Sequence, residues 1–306
     1  MIRRIGSWLL AILFILPAFC APAEVRAAGN GFRITFMNIG RNDGILMVCD
    51  GEAAFVDSGT QSYGAKAVKY MQGQGITHLR YYIGTHGHRD HIGGGPAIMT
   101  AFPTWEVLVP HEKVISQIKR FGSGAAQKEV VRNARYHVMT PGETVPLGGA
   151  RITCLGPVKL VSCKPTRIKE NYNSLILRVD YGQNSFLLTA DGMSWQFDKI
   201  EKKFPGAMNC QVIKNPHHNG RQSGSFLNRT KPEVYVFSTS SGCLPVKSYL
   251  NAIKRRMATI FITSPNRNGH VTIYSNGKDL SFETQKKWAM KGLYRIGEEE
   301  EPEWKD

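Results

Sequence analysis

The sequence predicts an α/β fold in a single domain, a four-layer αββα sandwich of two packed β-sheets with helices on the outer faces. Three observations predict it. Two series of short apolar strand runs follow one another, each with its own helices. No sequence repeat and no Pro- or Ser-rich linker divides them. Of the 306 residues 42% are hydrophobic, enough to fill one large interior.

The first series opens with FRITFMNI (32–39), which alternates apolar and polar positions as a half-buried strand does. ILMVCD (45–50) and AAFVDSG (53–59) are brief apolar runs closed by turn-forming residues. AKAVKYMQGQG (65–75) has helical spacing and ends at a glycine. LRYYIG (79–84) is a further strand, and helices follow over 92–101 and 112–121. The second series comprises RITCLG from 151, SLILRVDYG (174–182), SFLLTADG (185–192), a helix near 194–203 and CQVIKNPHH (210–218). VYVFSTSSG (234–242), a helix over 246–256, TIFIT (259–263) and HVTIYSNG (270–277) complete it.

The ends read differently from this body. Residues 1–28 form a secretory signal peptide: Arg3 and Arg4 lead an apolar run over 8–16, and small residues follow, with cleavage at APA (21–23) or near Ala27–Ala28. The run is short for a stable membrane span and Pro17 interrupts it, so no span is expected after cleavage. Phe19 ahead of Cys20 argues against a lipoprotein. The expected location is exported: periplasmic, cell-surface or secreted. The domain then runs over 29–297, and EEEEPEWKD (298–306) is an acidic tail expected to be disordered. Five cysteines remain beyond the signal, Cys49, Cys154, Cys163, Cys210 and Cys243. None sits in a CxxC pair, which excludes a zinc ribbon, and buried free thiols are the expectation.

The formal charge is +15. Removing 1–28, with Arg3, Arg4 and Arg26 against Glu24, leaves +13, and the tail holds −5 of that, so the body carries about +18. A body this basic attracts polyanions: nucleic acid, anionic wall polymers or lipid phosphodiesters. The basic residues are scattered, with KRR (254–256) as the only cluster, and no dedicated nucleic-acid motif is present.

THGHRDHIGG (85–94) carries the chemistry. Gly87 lets the backbone bend so that His86 and His88 converge on one ion, while Asp90 and His91 serve a second. Two ions about 3.5–4 Å apart hold a hydroxide between them and stabilise attacking and leaving oxygens. A structural zinc usually recruits cysteines, and none is here. His78, His111, His137 and His270 have no second ligand near them in sequence and read as surface or packing residues.

At these residues the chain resembles the metallo-β-lactamase fold hydrolases, whose HxHxDH signature stands intact as His86, His88, Asp90 and His91. The resemblance spans 32–284. It implies that Asp57, in AAFVDSG, supports the site from behind, and that Asp191, in FLLTADG, bridges two divalent metals, Zn or Mn. It also implies that one of His217 and His218, in NPHHNG, is the last metal ligand; which one stays open. Within the fold the chain is similar to the C-terminal domain of the ComEC competence protein and its free-standing exported relatives. FMNIGRNDGILM (36–47), DHIGGG, NSLILRV (173–179), LLTAD (187–191) and PHHNG (216–220) stand where that group reads FxDVGQGDxxLI, DHIGG, NSLVLRL, LLTGD and PHHGS.

The chain departs from that pattern in places. Asn38 replaces an Asp, and Arg41–Asn42 replace Gln-Gly, though Asp43 is kept. SGCLP (241–245) lacks the group's histidine. RIKENYNS (167–174) also lacks a histidine where lactamases supply the third ligand of the first metal, leaving Glu170, Asn171, Asn173 or a water; oxygen ligation there suits manganese.

The resemblance implies an exported metal-dependent phosphodiesterase or nuclease, related to DNA uptake, with Asp90 and the His217–His218 pair in catalysis. The histidine not used as ligand would bond the phosphate or protonate the leaving group. Lys214 and Arg221 are candidate phosphate contacts. A phosphocholine or teichoic-acid esterase, or a lactonase or β-lactamase, fits the same metals. A non-catalytic polyanion-binding protein is a third reading, supported only by the missing histidine.

Overall fold

The computed structural model describes residues 31–162 and 166–286; the expected signal peptide, Cys163 and the acidic tail lie outside the described residues. The first half runs β1 (Phe32–Phe36), β2 (Ile45–Cys49), β3 (Glu52–Val56), α1 (Gln61–Gly73), β4 (Leu79–Ile83), α2 (Arg89–Ile92), α3 (Gly95–Ala101), β5 (Thr104–Val109), α4 (Glu112–Phe121), α5 (Gly124–Asn133) and β6 (Tyr136–Val138). The second runs β7 (Thr144–Leu147), β8 (Ala150–Gly156), α6 (Thr166–Tyr172), β9 (Ile176–Tyr181), β10 (Asn184–Leu188), α7 (Ser194–Lys203), β11 (Val212–Lys214), α8 (Gly224–Thr230), β12 (Val234–Phe237), α9 (Lys247–Lys254), β13 (Thr259–Ile262), β14 (Val271–Ser275) and β15 (Leu280–Thr284).

These strands form two sheets, ordered β15-β14-β1-β2-β3-β4-β5-β6 and β13-β12-β11-β10-β9-β8-β7. Each sheet joins an antiparallel part to a parallel part, β3 to β6 in one and β10 to β13 in the other. Strand alternation builds the layers. Ala54, Val56, Tyr81 and Ile83 of the first sheet meet Leu177, Val179, Phe186, Leu188 and Val212 of the second in a central core. The alternate positions face outward: Ala53, Phe55 and Tyr82 pack under α1, α3 and α4 through Ala67, Ile98 and Val114. Leu187, Ile213 and Tyr235 pack under α7, α8 and α9 through Phe197, Phe226 and Leu250. The expected αββα sandwich is thus the observed one, in a single domain.

One expectation needs correcting. HVTIYSNG, grouped above with the second series, crosses back to the first sheet as β14 and pairs antiparallel with β1, Ile273 opposite Ile34. Alternation places a strand's face but not its sheet; pairing partners decide that. β5, β6, β7, α5, α6, α8 and β15 also went unread, most of them short elements whose pattern is shaped by long-range packing.

Candidate metal centre

The functional side chains sit beyond the carboxyl ends of neighbouring parallel strands, where open α/β sheets form their crevices. β3 leads to Asp57, β4 to Thr85 and His86, β10 to Asp191, and β11 to His217 and His218. The turns are tight. Asp57, Ala190, His217 and His218 all have left-handed backbones, with φ of 57°, 43°, 54° and 59°. Such residues cost about 1–3 kcal/mol each and persist where surrounding bonds hold them. For the last pair the holder is Asn215, whose Nδ2 donates to the carbonyls of Pro216, His218 and Gly220 while its Oδ1 accepts from Tyr249. In the DHIGGG segment Gly94 lies against the backbone of Gly64 in α1; a Cβ there would fall 2.6 Å from Ser58 O, so only glycine fits.

Asp57 organises the imidazoles. Its Oδ2 accepts from His91 Nδ1 at 2.7 Å and from the Thr85 hydroxyl at 2.7 Å, and its Oδ1 accepts from Thr85 N at 2.9 Å. With its proton committed to Asp57, the Thr85 oxygen is left to accept from His86 Nδ1, 3.1 Å away. His218 Nδ1 donates to Ser238 O at 3.0 Å. These bonds put the protons of His86, His91 and His218 on Nδ1 and turn each Nε2 lone pair inward, the orientation that metal-binding histidines require.

Two groups of ligand atoms result. His86, His88 and Asp191 form one, and Asp90, His91 and His218 the other, each with its ligand atoms within 4.8 Å of one another. His86 Nε2 and His88 Nδ1 stand 3.0 Å apart. Asp191 joins the groups, its Oδ1 3.3 Å from His91 Nε2 and 3.6 Å from His218 Nε2. His91 Nε2, His218 Nε2 and Asp191 Oδ1 are all buried without a hydrogen-bond partner. Orphaned polar atoms are costly unless a ligand satisfies them, and a nitrogen-and-carboxylate donor set of this kind fits divalent metal.

The electrostatics agree. Burial lowers His86 well below the usual imidazole value, with the charge of His91 adding to it. Burial would raise Asp191, yet His91 and His218 overcome it and hold the carboxyl well below its ordinary value. Burial would also raise Asp90; the neighbouring imidazoles of His218 and His91 outweigh that and lower it. His91 is the exception: burial lowers it, but Asp191 and Asp57 lift it well above its ordinary value, so metal at its Nε2 displaces a proton.

His218 is the one of the open pair that turns into the site, buried, with Nε2 3.6 Å from Asp90 Oδ2. His217 stands at the rim, 37% exposed, with Nε2 3.6 Å from Asp191 Oδ2. Burial lowers its pKa, and the charge of Arg41 is near enough to add to this. Arg41, which the sequence marks only as a departure from the ComEC pattern, is exposed. Arg221 is exposed in the loop beyond.

Lys214 is not the solvent-facing phosphate contact expected. It is fully buried, because β11 alternation turns it inward with Val212, and its ammonium pairs with Asp43 and donates to Ala190 O at 2.8 Å. Asn173 cannot serve the first metal as it stands, since its amide is bonded both ways to the Val161 backbone. Glu170 joins none of the ligand groups among the described residues and is held by Lys113 at 2.8 Å. Asn171 keeps a buried, unpartnered Oδ1. His78, His111, His137 and His270 fall in none of the groups among the described residues. Cys49, Cys154, Cys210 and Cys243 are free thiols; burial pushes Cys49 up to about 11 and Cys154 and Cys210 up to about 12, as inert core residues.

Comparison with known proteins accords with this geometry. The family model of the Metallo-beta-lactamase superfamily matches residues 44–158. Recombination protein 2 of Haemophilus influenzae is 24% identical over 216 residues, 68% of this chain and 24% of that protein. Hydroxyacylglutathione hydrolase of Stenotrophomonas maltophilia is 34% identical over 102 residues, 33% of this chain and 37% of the relative. The chain therefore spans well under half the length of either relative. The metallo-beta-lactamase fold protein YhfI of Bacillus subtilis superposes with a TM-score of 0.50 at 14% identity, covering 83% of this chain and 100% of that one. With two sheets packed face to face, helices outside and the His-Asp cluster at the strand ends, this chain has the metallo-β-lactamase fold.

Proposed function

We propose that the protein is an exported, metal-dependent phosphodiesterase acting on long polyanions, with nucleic acid the first candidate. The observation that carries it is the pair of ligand groups joined through Asp191, in which His91 Nε2, His218 Nε2 and Asp191 Oδ1 are buried and unpartnered. His86, His88 and Asp191 would hold one divalent ion, and Asp90, His91, His218 and Asp191 the other. When bound, two such ions supply Lewis acidity and an activated water. Asp57, through His91 and Thr85, keeps the imidazoles in their metal-binding tautomer. His217, neutral near pH 7 because burial lowers it, offers a ring N–H to a phosphate oxygen at the open rim, beside Arg41. The basic body, about +18 over 29–297, favours chains of phosphates over single small esters. A relative named for recombination accords with that class of substrate. Export rests on residues 1–28 alone; no helix among the described residues is long and apolar enough to cross a membrane.

The test is hydrolysis of bis-p-nitrophenyl phosphate and of single- and double-stranded DNA by the purified protein, with Zn²⁺, Mn²⁺ or chelator, beside Asp191→Ala. Metal-dependent cleavage of both, lost in the variant, is expected. Cleavage of the small ester alone would move the substrate to wall or lipid phosphodiesters. Cleavage of neither by protein that binds metal would point to a carboxylic ester or lactam and sink the reading. Amino-terminal sequencing of the mature protein from cell fractions tests export.

A further inference from the structure

Lys214 is a fully buried cation that the ligand groups leave unexplained. Its stem runs between the sheets and its ammonium stops directly behind the candidate centre, 4.0 Å from Asp191 Oδ1. Its partner Asp43 is as deeply buried, against the rear of two histidines. Asp43 Oδ2 is 3.7 Å from His91 Nδ1; Oδ1 is 3.6 Å from His218 Nδ1 and has no hydrogen-bond partner. Both Nδ1 atoms already have acceptors, in Asp57 and Ser238 O. Asp43 is therefore a surplus carboxylate, and a buried charge costs several kcal/mol unless it is paired.

The surplus creates an ambiguity for metal. Among the described residues two further ligand groups contain Asp43, one with Asp57 and His91, the other with Asp191 and His218. The histidines thus have a front, with Asp90, and a rear, where the carboxylate of Asp43 lies near those of Asp57 and Asp191, so a divalent ion that displaced an Nδ1 proton would find donors there as well. The ammonium of Lys214 already stands at the rear.

We propose that Lys214 is the resident cation of this rear pocket and that, by occupying Asp43, it directs divalent metal to the front side of His91 and His218. It is a positioning residue. Its charge repels a second cation from the rear, and its bond to Ala190 O fixes the left-handed residue on which Asp191 depends. The inference rests on the metal-binding reading of the front groups.

The experiment titrates metal-free protein with Zn²⁺, counting bound equivalents by equilibrium dialysis, and with Co²⁺, following the visible absorption spectrum. Lys214→Ala opens the rear; it is expected to bind one Zn²⁺ equivalent more than the wild type and to show Co²⁺ bands that the wild type lacks. Asp43→Asn alone leaves the ammonium facing Asp191 and is expected to weaken front binding about tenfold. The double variant Lys214→Met with Asp43→Asn removes both charges and the rear ligand, and is expected to keep wild-type stoichiometry. A folded Lys214→Ala protein with wild-type stoichiometry and spectrum overturns the inference. Should that variant fail to fold, loss of front binding in the double variant overturns it instead. Wild-type protein that binds no Zn²⁺ is a separate result, which removes the metal reading and the inference together.

Discussion

The two candidate metal positions differ in what stands behind their imidazoles. At the first, His86 reaches Asp57 only through the Thr85 hydroxyl. At the second, His91 bonds Asp57 directly, and His218 bonds a backbone carbonyl with Asp43 beside it. The second position also adds Asp90 to its two histidines and the shared Asp191, whereas Glu170, from the region expected to supply a third ligand to the first, joins no ligand group among the described residues. A carboxylate directly behind an imidazole makes it the more basic ligand. The contrast predicts a tighter second position and a more exchangeable first one, open to manganese as well as zinc, which titration with each ion checks.

The largest effect should come from the residue the positions share. Asp191→Ala is expected to lower kcat/KM about 10³-fold or more and to reduce bound metal at both positions, measured by hydrolysis rates and dialysis. Asp57→Ala and Thr85→Val separate the positions. The first should weaken both ions by about 10–100-fold, because it unhooks His91 and His86 together; the second should weaken only one ion, by about tenfold. Equal weakening of both ions by Thr85→Val would erase the distinction.

A pH dependence follows from the metal-free site. Burial lowers His86, His111, His217 and His270 below their ordinary values. As pH falls below about 6.5 the unfolded chain takes up protons at these residues that the folded chain refuses, so stability falls. His91 acts in the opposite sense: its contribution is full below about 6.5 and is lost as pH rises through its raised value. Four against one, the urea midpoint of metal-free protein should drop between pH 7 and pH 5, and a midpoint that rises instead would show His91 dominating. The smallest effect is expected at Gly87. A Cβ there would fall 2.0 Å from Gln117 Oε1, the mobile end of a side chain that can swing aside, so Gly87→Ala should shift first-position affinity by about threefold or less and leave the second alone.

Much of the site was legible because its signals are local. HxHxDH lies within six residues, and Asp57 and Asp191 each follow a strand whose apolar run is plain in AAFVDSG and SFLLTADG. Lys214 misled for the same local reason: a lysine three residues before a histidine looks like a solvated phosphate contact. Its burial depends on β11 lying inside a sheet covered on both faces.

The sequence by itself determined the donor atoms and the strand-end turns that carry them, since both depend on neighbours a few residues apart. Only the tertiary structure decided which donors meet. It chose His218 over His217, set Asp57 behind two histidines at once, and placed Lys214 against Asp43. Those contacts join strand ends from 28 to more than 150 residues apart. No local pattern encodes them; they exist because two sheets, each burying alternate side chains against the other, bring the carboxyl ends of β3, β4, β10 and β11 to one edge of a shared core.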